Sequence, residues 1–393
     1  MTAKPSFRVV LSMLSMLVIT ATVPKAFCAE EQTLSGLMPD YVVSWRIEAH
    51  PSETPLLISD DYFGEMSATA GKRIYRHYDT EGKLLWSTQN FDYSPAGVSL
   101  SRTGNRIILG RLLDTTSPGS AFSVEIYDEQ GTNLLTLTGM RTWVNSSPSG
   151  RFYYSLPDRD GYKPLTVFDT NGQILFTREP SSAAFWSAEA LTDSLLAFLD
   201  NEKLDIISVP GNQIIKSISK EQITGGKSGS LEMRSAENGK KLLLWSKHDI
   251  YTVAPASNRI TRTRINGRLR DAAFGENSDR LIYIYFDKSD PGIGLVDSLG
   301  NILWQQKIPF AAGEKWSREG SLWLGSDLFI VNYLGRVTSQ GSMLRQRRSF
   351  LGHLDSVSGN LEKSATLDGA FYPVSSQGVL LEKSDLLIQG WAK

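Results

Sequence analysis

The chain has 393 residues, 41% of them hydrophobic and 21% charged, with a formal net charge of −1 and one cysteine. This is the composition of a folded protein rather than a disordered one. A near-neutral balance supplies no basic domain for nucleic acid, and Cys28 alone excludes internal disulfides and cysteine-rich metal sites.

Residues 1–28 read as an export signal. Lys4 and Arg8 make the charged start, Val9 to Val23 the apolar segment, and Ala26-Phe27-Cys28 a small-x-small cleavage site before Ala29. The apolar run of 15 residues is shorter than the roughly 20 needed to cross a bilayer, so no transmembrane segment is expected after cleavage. The expected location is periplasmic or extracellular. A lipid anchor on Cys28 is the competing reading, opposed by the large Phe27 before it. Residues 29–40 are polar, contain Gly and Pro, and read as a linker.

From Tyr41 a unit repeats. Its signature is Val296-Asp297-Ser298-Leu299-Gly300-Asn301-Ile302-Leu303-Trp304, with earlier copies at Tyr78–Trp86, Tyr127–Gly131 and Phe168–Phe176. Aligning on the turn position gives Gly82, Gly131, Gly172, Gly211, Ser257, Gly300 and Gly335, at steps of 49, 41, 39, 46, 43 and 35 residues. A period near 42 suits four-stranded propeller blades or helical repeats. The local pattern selects strands. Residues 142–146, 151–155, 165–168 and 173–176 are short β-branched or aromatic runs bounded by Gly, Pro, Asn or Asp. Asp at the first turn position hydrogen-bonds the backbone ahead of it, and Gly at the fourth accepts a left-handed conformation. Asp79/Gly82, Asp128/Gly131, Asp169/Gly172, Asp297/Gly300 and Asn332/Gly335 are therefore read as hairpin turns.

The second strands carry unbroken apolar runs: 107–109, 195–199, 242–245 and 281–286. Burial of both strand faces follows, which a single open sheet or a two-sheet sandwich does not provide. The expected fold is all-β: a β-propeller of seven or eight four-stranded antiparallel blades. Residues 41–345 hold seven blades, and 346–393 form a degenerate eighth blade or a closing segment.

The Asp-x-x-Gly-x-x-Leu-Trp turns at 79–86 and 297–304 resemble repeats of the PQQ-like propeller superfamily. Ser-Pro-Ser-Gly at 147–150 and Ser-Arg-Thr-Gly at 101–104 look more like WD40- and TolB-like blades. The resemblance implies a disc with a central channel, first strands innermost, and binding on the loop faces or in the channel. PQQ enzymes of that superfamily stack an adjacent cysteine pair on the quinone. This chain has no cysteine beyond position 28, so no cofactor is expected.

Candidate chemistry is sparse. His50, His77, His248 and His353 show no metal-ligand spacing, and read as surface or packing residues. Asp158-Arg159-Asp160-Gly161 reads as a polar loop, short of the carboxylates a calcium loop supplies. Predicted first strands bring Trp45, Arg46, Trp143, Asn145, Trp186, Arg234, Arg270, Asp271, Trp316 and Arg318 toward the channel. Of these, Trp45, Arg46, Trp143, Asn145, Arg234, Arg270, Asp271 and Arg318 form a candidate ligand site, against the alternative that the tryptophans pack between blades. Arg259, Arg262, Arg264 and Arg268 form a candidate dock for an anionic partner, with Arg345, Arg347 and Arg348 a later basic run; strand-edge protection is the bland reading. The function expected is an exported, non-catalytic binding or scaffold module for a protein or cell-envelope component. The alternative is a propeller enzyme acting on a glycan or other polar substrate in the channel.

Overall fold

The computed structural model describes residues 34–392 except 51–54, 70–71, 89–94, 113–121, 157–162, 182–185, 228, 258, 311–313, 340–341, 375–378 and 385–386. Of 68–69, 72, 95–96, 112, 317–320, 337–339 and 342–344 it describes only the backbone. The export signal with Cys28, and Asp158-Arg159-Asp160-Gly161, lie outside the described residues.

The described strands form eight four-stranded antiparallel sheets. Seven are contiguous in sequence: blade 1 (57–87), blade 2 (95–140), blade 3 (144–178), blade 4 (187–219), blade 5 (232–264), blade 6 (268–307) and blade 7 (314–368). Blade 8 combines strands from residues 370–392 with Val42–Glu48, which pairs with Leu387–Ala392 as its fourth strand. First strands lie against first strands: Leu57–Ile58 meets both Pro95–Leu100 and Ala370–Val374, and Ser187–Ala190 meets Glu232–Ser235. They are therefore the inner wall of the ring, and the fourth strands are its rim.

Eight apolar clusters hold the ring, one at each blade interface. Side chains alternate across a strand, so consecutive residues of a second strand serve different neighbours. Leu242 and Leu244 pack against blade 4, whereas Leu243 and Trp245 pack against blade 6. Leu281, Tyr283 and Tyr285 face blade 5, and Ile282 and Ile284 face blade 7. This is the physical reason for the unbroken apolar runs. Each large side chain buried this way contributes roughly 1.5–3 kcal/mol.

The hairpins joining third to fourth strands are built as their residues require. Asp79 Oδ1 accepts from the N–H groups of Glu81 and Lys83 at 3.0 and 2.9 Å. Asp128, Asp169 and Asp297 do the same in blades 2, 3 and 6. Gly131 sits at φ 85°, and the ladder slips by one residue between Ile126 and Tyr127, the extra-residue bulge expected of a left-handed glycine. In blade 4 the left-handed residue is Asn212 (φ 46°), one position beyond Gly211. Blade 5, with Ser257 at this position, pairs through the turn without any slip. A Cβ on Gly131 would stand 2.7 Å from Trp86 of blade 1, and one on Gly82 would stand 2.6 Å from Trp45 of blade 8. The hairpin thus does two jobs: it reverses the chain and admits the neighbouring blade's tryptophan. Trp45 and Trp304 each donate their indole N–H to the next blade's turn, to Thr80 and Gly359 carbonyls at 2.9 Å.

Three expectations are corrected. Asn332 and Gly335 are not a turn: both lie inside the 12-residue strand Leu328–Ser339, where Asn332 is buried and donates to Ser321 Oγ at 2.7 Å and to the Phe371 carbonyl. The corresponding hairpin of blade 7 is 355–360, so that blade runs to 368 rather than ending at 345. The linker contributes structure, since Leu34–Leu37 is a helical turn whose Leu34 and Leu37, with Met38, pack into the interface of blades 7 and 8. Within the repeats, Lys220–Thr224 is a short helix capped reciprocally by Ser219 and Gln222.

Ring closure between blades 8 and 1 adds buried charge. Glu65 and Lys383, both almost fully enclosed, lie 3.5 Å apart, and His50 meets Glu65 at 2.9 Å through Nδ1. The cost of desolvating both charges offsets much of the attraction in an enclosed ion pair, so this one adds little net stability. His77 meets the Tyr75 hydroxyl, His248 the Gly267 carbonyl and His353 the Glu362 carboxylate. Among the described residues no cluster of His, Cys, Asp and Glu has the geometry to hold a metal ion.

Candidate functional site

Antiparallel strands place the first–second turns and the third–fourth hairpins on the same face of the ring. The first–second turns surround the inner wall there, and hydrogen bonds chain them from blade to blade. Asp60 N–H donates to the Arg102 carbonyl at 2.9 Å, and Thr103 N–H to the Pro148 carbonyl at 3.2 Å. Asp193 of blade 4 accepts from Ser147 Oγ and Ser149 N–H of blade 3, both at 2.9 Å. Burial alone would raise the Asp193 carboxyl, but these bonds hold it below its ordinary range. Lys241 donates to the Ser278 carbonyl at 2.6 Å, linking blades 5 and 6.

Among the described residues, one side chain crosses this mouth. Arg102, in the first turn of blade 2, reaches blade 5, where it donates to the Glu237 carbonyl and to Ser235 Oγ at 3.4 Å. Beneath it, Ser235 Oγ donates to Glu189 Oε1 of blade 4 at 3.0 Å. Crowding by the surrounding walls pushes the Glu189 carboxyl up, against the pull of Ser235, Arg234 and Arg102. Tyr154 of blade 3, which accepts from Ala190 N–H at 3.3 Å and shares a hydrogen bond with Asn145, completes the group. Four blades therefore contribute to one polar cluster.

A second cluster lies deeper on the wall of blades 5 and 6. Arg234 pairs with Asp271 at 3.2 Å, donates to the Ala272 carbonyl at 2.9 Å, and stands 5.7 Å over the Trp245 ring. Glu232 is raised by burial and by the Asp271 charge. At the mouth, Glu237 is raised by burial and by Asp60 and Glu276, and Glu276 by burial and Asp327. Carboxylates held close together in a concave polar mouth favour a proton or a cationic group as counterpart.

Of the residues expected here, Asn145, Arg234, Arg270 and Asp271 do lie on or beside the inner wall. Arg270 stands 5.8 Å over Phe286. Trp143 packs between blades 2 and 3, 6.4 Å from Phe122, and Trp186 is enclosed between blades 3 and 4. Trp45 and Arg46 are misplaced by the sequence reading: their strand is the outer strand of blade 8, where Arg46 bonds Gln389 at 3.1 Å. Arg318 has its backbone opposite Leu334 in blade 7, and its side chain is outside the described residues. Arg102, Glu189, Ser235 and Glu237 went unnoticed. The signal available for them was a charged residue in a first–second turn or an inner strand.

The basic run divides. Arg259, Arg262 and Arg264 lie on the rim strand of blade 5, while Arg268 opens the inner strand of blade 6. Arg262 and Arg264 share a face, and both reach Asp249, at 2.8 and 2.9 Å, with Lys227 at 3.3 Å. Burial would push Asp249 up, but hydrogen bonds from Arg262 and Lys227 and the Arg264 charge hold it down.

No family model matches the sequence, and no curated protein does. Solved structures match the fold. The C-terminal WD40 domain of Sif2 aligns at a TM-score of 0.56 and 11% identity, over 88% of this chain and 99% of that one. The Cps50 (Swd1) propeller domain of Myceliophteria thermophila aligns at 0.50 and 14%, over 77% and 99%. A eukaryotic initiation factor aligns at 0.54 and 14%, over 84% and 80%. At these identities the likeness is one of fold, and the fold is a WD40-like propeller.

Proposed function

We propose that the chain is an exported, non-catalytic binding module that holds a protein or cell-envelope component at the first-turn mouth of the ring. The observation that carries this reading is the mouth itself. Arg102 spans it, turns from successive blades are bonded into a rim, and Glu237 and Glu276 remain accessible beside Asp60 and Asp327. A rigid polar rim on a WD40-like ring suits recognition of a macromolecular surface more than turnover of a small substrate.

The test is affinity capture by the mature protein from its own envelope fraction, compared with Glu237→Lys combined with Glu276→Lys. A partner retained by the wild type and lost by the variant is the expected result. Equal retention by both sinks the mouth as the binding surface. Mass measurement of the exported product should find Ala29 as the first residue; a retained Met1 in the cytoplasmic fraction overturns export.

A further inference from the structure

Blade 7 is built differently from the others. Its second and third strands, Leu328–Ser339 and Ser342–Leu354, have 12 and 13 residues, and its first, Glu314–Leu324, has 11. The fourth strand pairs with the third only from Arg348 onward. Residues 342–347 therefore project as part of a three-stranded finger, about 20 Å long at 3.3–3.4 Å per residue. It projects on the face opposite the first-turn mouth.

The two faces of the finger differ. On the blade 6 side, Trp316 stacks on Tyr333 at 4.7 Å, and Arg348 bridges Glu314 (3.4 Å) and Asp368. On the other side, register aligns Lys315 with Arg336 and Arg336 with Arg345. Three exposed cations thus form one row across three strands. The next row on this face brings in Arg347, opposite Leu334. Like charges directly opposite one another disfavour a sheet. A ligand that carries carboxylates supplies the opposite charge to this face.

The third strand also has an open edge. Among the described residues no strand pairs with Ser342–Gln346 on the side away from Leu328–Ser339. The Arg347 carbonyl points to that side, since it accepts from Gly369 N–H at 3.1 Å. By the two-residue alternation, so do the backbone groups of Arg345.

We propose that the finger binds an extended acidic protein segment, which adds as a strand along Ser342–Gln346 and sets alternate carboxylates against Arg345 and Arg347, with Arg336 and Lys315 adding positive charge further along the same face. Open backbone hydrogen-bonding groups and a charged face together specify a peptide in strand form. A polyanion without a backbone uses only the second feature. This inference rests on the binding-module reading and gives it a second surface.

The probe is a fluorescein-labelled peptide of alternating Glu and Val, titrated by anisotropy into the full chain at low salt. Expected are binding at least tenfold tighter than that of the alternating Lys and Val peptide, and at least tenfold loss with Lys315→Gln, Arg336→Gln and Arg345→Gln combined. N-methylation of alternate peptide nitrogens should also weaken binding tenfold. A thermal midpoint no lower than wild type establishes that the triple variant is folded; Lys315→Gln with Arg345→Gln serves if it is not. Unchanged affinity in the folded variant overturns the proposal. So does an N-methylated peptide, an anionic lipid vesicle or a single-stranded DNA that binds as tightly. If the folded variant binds the peptide as the wild type does while the envelope partner is still captured at the mouth, the finger proposal falls and the binding-module reading stands.

Discussion

Two basic strands in this molecule have similar composition and opposite electrostatics. On the rim of blade 5, Arg262 and Arg264 converge with Lys227 on the enclosed carboxylate of Asp249. On the finger of blade 7, Lys315, Arg336 and Arg345 are aligned with one another. In the first case the cations stabilise a fold that has placed an acid beneath them; in the second each stands opposite another cation in the register. What stands opposite in the register decides this, and charge count does not.

The comparison can be broken most sharply at Asp249. Asp249→Asn leaves three cations around a neutral group and should cost about 2 kcal/mol, between the values for exposed and enclosed ion pairs. Urea unfolding measures it, and a loss below about 0.5 kcal/mol means that the cluster is only a solvated edge. Titration separates the rim from the inner wall. Asp249 is depressed, so its contribution is present above the unfolded value of about 3.9 and is lost as pH falls through the folded one. Glu189 is raised, so its effect has the other sign: stability falls as pH rises from about 4.3 through the folded value. Glu189→Gln should flatten the second slope and Asp249→Asn the first, and equal slopes in both variants contradict the assignment.

Smaller effects sharpen the contrast. Lys315→Gln with Arg345→Gln should raise stability by about 0.5 kcal/mol, because it removes like charges from adjacent strands; a lower denaturation midpoint is the opposing outcome. Smallest is salt. Moving from 0.05 to about 0.5 M should weaken the blade 5 cluster and relax the blade 7 row, each by a few tenths of a kcal/mol. Matched salt responses of Asp249→Asn and of the double blade 7 variant, relative to wild type, break the comparison.

What was legible in the sequence was what is local. Asp79, Asp128, Asp169 and Asp297 bond atoms two and four residues away, so their hairpins could be read in place. Strand alternation likewise made the two-sided burial of Leu242–Trp245 readable. Gly335 misled because Asn-x-x-Gly reads as a turn, although inside a long strand it gives room beside Glu314. Trp45 was misassigned because the partner of its strand lies at the far end of the chain. Arg102 was missed because its reach spans the inner wall to blade 5, a distance that no local pattern encodes. Arg262 and Arg264 were rightly placed on one face, but the acid beneath them comes from a different strand.

The strand Val42–Glu48 has a consequence for the order in which the protein is made. Its bond from Ser44 to the Gly390 carbonyl joins residues 346 apart in sequence. At typical ribosomal speeds the strand waits on the order of half a minute for its partner. Seven blades can assemble during that interval, but the eighth cannot, and the unpaired strand is meanwhile free to meet another nascent copy. Crowded synthesis should therefore favour exchanged dimers, in which each ring is stitched shut by the other's first strand.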